Sequence, residues 1–307
     1  LVGRSFKYHR PRGFFGAGVE EPNAKLQVEF NGHSEPNVNA TEMELVEGLS
    51  ATSQNCWPSV NFDIGAINNF LKMFFPAGFY YKTFMWPKSF WYKIYEPFIR
   101  KAAGLGVASI EKDKERYEHK FEYCDLLVTG SGPSGLASAY AAAKNGAKVI
   151  LAEDKPRFGG TLLTDDVSID NLSGKDWAEK IITELKSMPN VTVKNRSQVF
   201  GYYDHNMLVM FERVSDHLEK KSKFTPRQRL WYIRAKETIL STGSIERPIV
   251  FGNNDTPGIF LSAAAKEYMK VYGVLVGKKP LIFTNNDSAY ETALEFKKNN
   301  VEPIILD

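Results

Sequence analysis

Three glycines and one glutamate are spaced in this sequence as a dinucleotide-binding site requires. Gly130, Gly132 and Gly135 form the pattern Gly-x-Gly-x-x-Gly, and Glu153 follows roughly 20 residues later. The first glycine allows a tight turn, the second lets the backbone approach a pyrophosphate, and the third lets a helix pack closely on a strand. A carboxylate at the position of Glu153 can accept hydrogen bonds from the hydroxyls of an adenosine ribose. The pattern therefore predicts a bound dinucleotide whose phosphates lie at a helix N-terminus.

The residues around this pattern predict the elements that must position it. An apolar run at 126–129 precedes the glycines, an alanine-rich helix follows at 136–144, and a second strand covers 148–152 and ends at Glu153. A glycine-rich turn in another kind of α/β unit is the alternative interpretation. The order strand, turn, helix, strand favours the dinucleotide site, because the motif requires that context.

The chain beyond this first βαβ unit predicts a parallel βαβαβ core, an antiparallel meander and a return strand. Helix 174–187 should bury Trp177, Ile181 and Leu185, which share one face at i, i+4 and i+8. The strand-like runs that follow it are 191–193, 198–203, 207–214, 229–234 and 238–240.

A second βαβ unit begins near the end of the chain, with a strand at 281–283, a helix, and a strand at 303–306. We call it the C-terminal βαβ segment. Asn285, Asp287 and Tyr290 occupy the positions where the first unit has glycines, so side-chain bulk and a negative charge stand where a pyrophosphate would lie. We expect this segment to be a structural relic. Binding of a ribose by Asp307 is the alternative.

The N-terminal part of the chain shows weaker patterns. Lys25–Phe30 alternates polar and apolar residues and is followed by Asn31-Gly32, which predicts a strand and a turn. The aromatic run at 70–87 is interrupted by Lys, Pro and Gly well short of the roughly 20 apolar residues that a membrane span needs. This run could pack on the nucleotide domain or form a subunit interface. The mixed-charge run at 111–120 predicts a solvated helix.

Composition limits the possible partners. The chain has 307 residues, 43% of them hydrophobic and 24% charged, which is ordinary for a soluble globular protein. The formal charge of +3 gives no reason to expect nucleic acid or a membrane as partner. A basic cluster at 7–12 is interpreted as a solvated or interface loop, with phosphate binding as the alternative.

The two cysteines, Cys56 and Cys124, argue against a disulfide framework and fit a cytoplasmic protein. Because the chain starts at Leu1 without a methionine, we expect it to be a piece of a longer polypeptide.

The order of elements is similar to that of the two-dinucleotide-binding flavoproteins of the glutathione reductase type. Longer strings resemble one family, the α subunits of heterotetrameric sarcosine oxidases. These strings are 3–13, 20–24, 76–87, 200–204 and 283–290. The resemblance implies an α/β fold with two dinucleotide-binding units, preceded by a remnant of a small ferredoxin-like β domain. The expected domains are the remnant at 1–46, an aromatic-rich linker at 47–118, the nucleotide-binding domain at 119–250 and the truncated second unit at 251–307.

The same resemblance implies a function. This family demethylates sarcosine oxidatively to glycine, passes the one-carbon unit to tetrahydrofolate and passes electrons to oxygen. It implies β, γ and δ subunits as partners, FAD in β, FMN at the boundary between α and β, a zinc ion in δ, and NAD in α. The chain would then be a scaffold with a nucleotide site, without catalytic or metal-binding residues of its own.

The positions that contact NAD in the family carry over onto this sequence one by one. Ser134 would meet the pyrophosphate, Glu153 and Asp154 the ribose, Lys155 a phosphate or the adenine edge, Thr161 a phosphate or ribose oxygen, and Val199 the adenine through its main chain. With the glycines, the expected cofactor-binding residues are Gly130, Gly132, Ser134, Gly135, Glu153, Asp154, Lys155, Gly160, Thr161 and Val199. Core packing of Val199 and a solvated surface at Asp154 and Lys155 are the alternatives.

One departure from ferredoxin-like relatives concerns iron. A [2Fe–2S] cluster needs four cysteine thiolates with local spacing, which two distant cysteines do not supply.

Two other functions stay open. One is a self-contained reductase with FAD in the first unit and NAD(P)H in the second, which the missing cysteine pair after Gly159-Gly160 and the glycine-free second unit disfavour. The other is a subunit of a related FAD-dependent dehydrogenase acting on proline, hydroxyproline or an opine, although those relatives typically keep the cluster cysteines.

Overall fold

The computed structural model of the chain divides into two compact units. We call Leu1–Lys112, Glu246–Lys266 and Leu275–Asp307 the terminal unit, and Asp113–Ile245 with Glu267–Val274 the central unit. The basic cluster at 7–12, the aromatic run at 70–83 and Cys56 lie outside the described residues. The structure describes residues 25–30, 32–39, 43–54, 57–59, 62–64, 67, 84, 86–102, 105–107, 112–252 and 258–307.

The terminal unit begins with a small antiparallel sheet. Strand β1 covers Lys25–Phe30, β2 covers His33–Asn39 and β3 covers Ser50–Ser53, in the order β2-β1-β3. The alternating residues Leu26 and Val28 are buried, as a half-buried strand requires. A short helix, α1, follows at Glu96–Ala102.

The central unit is built on a mixed six-stranded sheet. Its elements in chain order are β4 Tyr117–Thr129, α2 Pro133–Lys144, β5 Val149–Ala152, the hairpin β6 Ser168–Ile169 and β7 Leu172–Ser173, α3 Gly174–Ser187, β8 Val191–Lys194, β9 Ser197–Tyr203, β10 Met207–Arg213 and β11 Gln228–Leu240. The strand order is β8-β5-β4-β11-β10-β9, with β8, β5, β4 and β11 parallel and the last two strands antiparallel. This is the expected βαβαβ core with its meander.

The core lies on both faces of this sheet. Helices α2 and α3 cover one face, where Trp177, Ile181 and Leu185 are buried as the spacing predicted. Helix α3 begins at Ser173, whose side chain accepts a hydrogen bond from the Asp176 N–H over 3.2 Å. The opposite face buries a second cluster that includes Leu208, Met210 and Ile233 of the meander.

Two sequence-based predictions about the sheet are wrong. The run at 111–120 does not form a helix in its described part, because β4 starts at Tyr117 and pairs along its whole length with β11. The ring of Phe121 stacks on Tyr232 of β11 with 5.0 Å between centroids, a cross-strand contact that no local pattern reveals. The runs at 229–234 and 238–240 are one continuous strand, β11, since its pairing with β4 extends across both runs.

The C-terminal βαβ segment forms as predicted. Strand β12 covers Leu281–Phe283 and pairs in parallel with β13, Ile304–Leu306. Helix α4, Ser262–Tyr272, precedes β12, and helix α5, Ser288–Lys298, connects the two strands. None of the helices in the described part of the chain has the length and apolar character needed to traverse a lipid bilayer.

Candidate functional site

The turn after β4 is closed by two glycines that no other residue can replace without a clash. Gly130 has φ +96°, and a Cβ atom there would lie 2.2 Å from the carbonyl oxygen of Ser241. A Cβ atom at Gly135 would lie 2.0 Å from the carbonyl oxygen of Gly130. These are the tight turn and the close helix-strand approach that the sequence pattern predicted.

Gly132 differs from these two glycines. A Cβ atom there would have no described atom within 4 Å, so the space in front of it is open. Gly132 is the N-cap residue of α2, Pro133 follows it, and no side chain caps this end of the helix. Ser134, also predicted to bind the cofactor, is exposed in the first turn. Open space before an uncapped helix N-terminus is suited to an anion such as a pyrophosphate.

The paired-glycine loop lies against this turn. Gly160 has φ +54°, and its Cβ atom would lie 2.9 Å from the Cα of Gly132. The Gly159 N–H donates to the Ser131 carbonyl oxygen over 3.1 Å. Thr161 follows in the 3-10 turn Gly160–Leu163, where it is exposed. The structure thus brings the segment of Thr161 to the glycine turn.

Glu153 is buried at the end of β5, with 6% of its surface exposed. Its Oε2 accepts hydrogen bonds from the Ser131 N–H over 2.8 Å and from the Ser131 hydroxyl over 2.6 Å, and its Oε1 accepts from the Lys155 N–H over 3.0 Å. Burial and then the Asp154 carboxyl raise the pKa of Glu153 above its ordinary value, against the opposing effect of these donors.

Asp154 and Lys155 are exposed beside Glu153. The Arg213 guanidinium donates to the Asp154 carbonyl oxygen over 3.1 Å, and the Lys155 ammonium lies 3.4 Å from the Glu267 carboxylate. Both side chains are thus at the end of β5, where the ribose was predicted, and both are solvated.

Val199 lies on β9, the edge strand of the sheet. Its side chain packs on the second core cluster, and a bulge in the pairing with β10 follows it. The Ser197 N–H donates to the Glu153 carbonyl oxygen over 2.7 Å, which holds the start of β9 beside Glu153. Core packing therefore accounts for the side chain. Among the described residues, no further strand pairs with the outer edge of β9.

The sequence-based site missed two residues, Ser131 and Arg213. Ser131 is fully buried between the turn, Glu153 and the paired-glycine loop. Its position as a polar residue between Gly130 and Gly132 could have indicated a role for Ser131 in the site. Arg213 comes from the meander, and no local pattern connects it to the glycine turn.

In the C-terminal βαβ segment the N-cap residue of α5, Asp287, makes no side-chain capping bond, but the preceding Asn286 accepts one from the first turn. The Asn286 side-chain oxygen accepts from the Ser288 N–H over 3.0 Å, so a protein oxygen occupies the first turn of α5. The Tyr290 hydroxyl donates to the Asp307 carboxylate over 3.0 Å. A dinucleotide bound here would need the N–H groups of the first turn of α5 and the Asp307 carboxylate. Both already have hydrogen bonds within the segment, which fits the interpretation of a relic.

Other chemistry is restricted in the described part of the chain. Its His, Cys, Asp and Glu residues form no group of three or more that could hold a metal ion. Cys124 is fully buried in β4, and burial raises the pKa of its thiol to about 12. This thiol is therefore protonated and inaccessible at neutral pH.

Comparisons with known proteins agree with this fold. Residues 125–210 match the family model for FAD dependent oxidoreductases, and residues 1–56 match that for a 2Fe-2S iron-sulfur cluster binding domain. The solved structure of L-proline dehydrogenase from P. horikoshii is similar with a TM-score of 0.63 and 18% identity, over 100% of this chain and 48% of that one. The chain thus has the dinucleotide-binding fold of the FAD-dependent oxidoreductase class, with a ferredoxin-like region before it, and the predicted fold class is confirmed.

Two relatives are similar to this chain along nearly its whole length. Sarcosine oxidase subunit alpha from Rhizobium meliloti (strain 1021) is 51% identical over 306 residues, which is 100% of this chain and 31% of the relative. The same subunit from Corynebacterium sp. (strain U-96) is 33% identical over 99% of this chain and 27% of the relative. The chain spans about a third of the length of these relatives. Along its whole length it is related to the α subunits of sarcosine oxidase, which confirms the resemblance seen in the sequence.

Proposed function

We propose that this chain is the nucleotide-binding part of the α subunit of a heterotetrameric sarcosine oxidase, and that it holds NAD as a scaffold. The observation that carries this proposal is the identity of 51% to one such α subunit over the whole chain. The enzyme would convert sarcosine to glycine by oxidative demethylation, with tetrahydrofolate as the one-carbon acceptor and oxygen as the electron acceptor.

The glycine turn fits a dinucleotide. Open space at Gly132 and the uncapped N-terminus of α2 would receive the pyrophosphate, while Glu153 at the end of β5 would receive the ribose. The edge strand β9 supports contact between the adenine and the main chain of Val199. The residues proposed to hold NAD are Gly130, Gly132, Ser134, Gly135, Glu153, Asp154, Lys155, Gly160, Thr161 and Val199.

NAD is a hydride acceptor when it is bound, but here we assign it a binding role only. The thiol of Cys124 is buried and protonated, so it is not available for catalysis. We assign no residue in the described part of the chain to catalysis. The hydrogen bonds that Asn286 and Tyr290 make within the C-terminal βαβ segment support a single dinucleotide site in this chain. The reacting flavin would lie on another polypeptide.

The remaining components follow from the same proposal. FAD would be held by the β subunit, FMN at the boundary between α and β, and tetrahydrofolate by a further part of the α subunit. The β, γ and δ subunits would be the partners, and sarcosine the substrate, in a cytoplasmic complex. Neither nucleic acid nor a membrane has a role in it.

The second candidate is a reductase that binds FAD at the same glycine turn, and the match of residues 125–210 to FAD dependent oxidoreductases favours it. Both candidates need Gly132, but they differ in where the reacting flavin lies. The variant Gly132→Val separates them, because its side chain fills the space left for the pyrophosphate. We expect bound NAD to be lost from the assembled complex while sarcosine-dependent peroxide formation largely survives.

The measurement is the nucleotide released from the purified complex, identified by mass spectrometry, together with peroxide formation by the same sample. Gly277→Val is the matched control, because a Cβ atom at Gly277 also meets open space but lies far along the chain from the turn. If FAD is the nucleotide displaced and peroxide formation disappears in an intact complex, the reductase is correct and the scaffold is not.

A further inference from the structure

Ser131 connects three segments of the candidate site. It lies between the first two glycines of the turn and is fully buried. Its N–H and its hydroxyl both donate to Oε2 of Glu153, over 2.8 and 2.6 Å. Its hydroxyl and carbonyl oxygens both accept from the Gly159 N–H, over 3.2 and 3.1 Å. One small side chain thus ties the glycine turn to the end of β5 and to the paired-glycine loop.

These bonds determine which part of Glu153 is left for a ligand. An ionised carboxylate has about four lone-pair positions. Ser131 occupies two of them on Oε2, and the Lys155 N–H occupies one on Oε1. These three donors hold the carboxylate in one orientation, and the neighbouring Asp154 carboxyl also interacts with it.

We infer that Ser131 is a positioning residue for ribose recognition, because its hydroxyl orients the Glu153 carboxylate. This inference rests on the proposed function, since it requires a dinucleotide whose ribose meets Glu153. A hydrogen bond donated to an ionised carboxylate favours the charged form. Loss of the hydroxyl would thus weaken binding in two ways, by loosening the carboxylate and by favouring its protonation.

The second effect has a pH signature that a purely structural role would lack. Burial, followed by the Asp154 carboxyl, raises the pKa of Glu153, and the Ser131 hydroxyl is the first of the donors that lower it. Removal of this donor moves the pKa further up, so the loss of dinucleotide binding at acid pH should begin at a higher pH. The charged residues bonded to the segments around Glu153 are Asp154, Lys155, Lys194, Arg196 and Arg213.

The test compares Ser131→Ala with the wild-type protein in its intact complex, with NAD itself as the probe. We expect the dissociation constant at neutral pH to rise about tenfold, the size of effect that a hydrogen bond to a charged group has. We also expect the acid limb of binding to shift to higher pH. Ser215→Ala is the matched control, because the Ser215 hydroxyl is also buried and donates over 3.0 Å to the Pro226 carbonyl, away from the turn.

A second variant and a double mutant complete the test. Ser131→Cys keeps the connectivity of the side chain but has a larger sulfur atom and a weaker donor. It should move the acid limb of NAD binding in the same direction, which tests the inference even if the alanine variant fails to fold. In a Glu153→Gln background, Ser131→Ala should leave the pH dependence of NAD binding unchanged, because position 153 then has no carboxyl group to titrate. An unchanged affinity and acid limb in both Ser131 variants, with NAD bound normally by the wild type, would overturn this inference alone. No NAD binding by the wild type would overturn the proposed function and this inference with it.

Discussion

Glu153 is a residue whose charge opposes folding. Its pKa is raised, chiefly by burial, so the folded state favours the neutral form. Stability from this group is greatest below the unfolded value of 4.5 and declines as the pH rises through the folded value. Ionisation of this carboxyl therefore costs folding free energy. Ionisable groups with perturbed pKa values are concentrated at functional sites, which supports its assignment to the ribose.

The charges at the end of β5 predict the choice of cofactor. Glu153 and Asp154 would meet the 2′-phosphate of NADP with like charge, at a cost on the order of 1–3 kcal/mol. We expect NAD to bind roughly 5- to 150-fold more tightly than NADP. Titration of the complex with each nucleotide measures this preference, and Asp154→Asn should reduce it. Equal affinity, or tighter NADP binding, would refute the ribose assignment.

At the scale of elements, a charged network joins the strands of the central sheet. Glu212 of β10, with 7% of its surface exposed, accepts hydrogen bonds from Lys194 of β8, Arg229 of β11 and the Trp231 ring, over 3.0, 2.9 and 2.6 Å. Arg229 in turn bonds to Glu118 of β4 over 3.0 Å. Three strands thus meet at one buried carboxylate, and β4 joins them through Arg229. No local pattern in the sequence indicates this network.

Glu212→Gln should destabilise the protein by about 2 kcal/mol, because the partly buried Lys194 would lose its carboxylate partner and the partly buried Arg229 would keep only Glu118. Burial raises the pKa of Glu212, but Lys194, Trp231 and Arg229 together lower it below the ordinary value of 4.5. The stability that this group adds is complete above pH 4.5 and is lost as the pH falls through the lower folded value.

Urea unfolding of both proteins at neutral pH, and at the lowest pH where both stay folded, measures this difference. The gap between them should shrink at the lower pH. Glu219→Gln is the control, since Glu219 is exposed in the loop between β10 and β11. A gap that is the same at both pH values would show that the carboxylate charge does not carry the stability.

For the molecule as a whole, the N-terminal region matches a cluster-binding family but lacks the cysteines that such a cluster needs. Residues 1–56 match a 2Fe-2S cluster binding domain, but the sequence has only two cysteines, Cys56 and Cys124. Cys124 is fully buried in β4 of the central unit. A [2Fe–2S] cluster takes four thiolates, so these residues do not suffice to bind it.

We therefore expect the purified α polypeptide to contain no iron–sulfur cluster. Iron and acid-labile sulfide, measured together with a known ferredoxin as positive control, should both be near zero per chain. Values near two of each per chain would show that ligands other than these cysteines hold a cluster.

Local patterns in the sequence were sufficient to predict several parts of the fold. The glycine spacing predicted the turn after β4, and the i, i+4, i+8 pattern predicted the buried face of α3. Each of these depends on residues close together in the chain, whose backbone freedom and side-chain periodicity are sufficient to predict the structure.

The tertiary structure alone decided what depends on residues far apart in the chain. The extension of β4 back to Tyr117 follows from pairing with β11, more than 100 residues later, which overrides the helical tendency of a mixed-charge run. Ser241, which makes glycine obligatory at position 130, and Arg213, which lies beside Asp154, also come from distant strands. The bonds that hold Glu153 form only when the chain is folded, because burial and donor geometry are properties of packing and are not encoded in any short stretch of sequence.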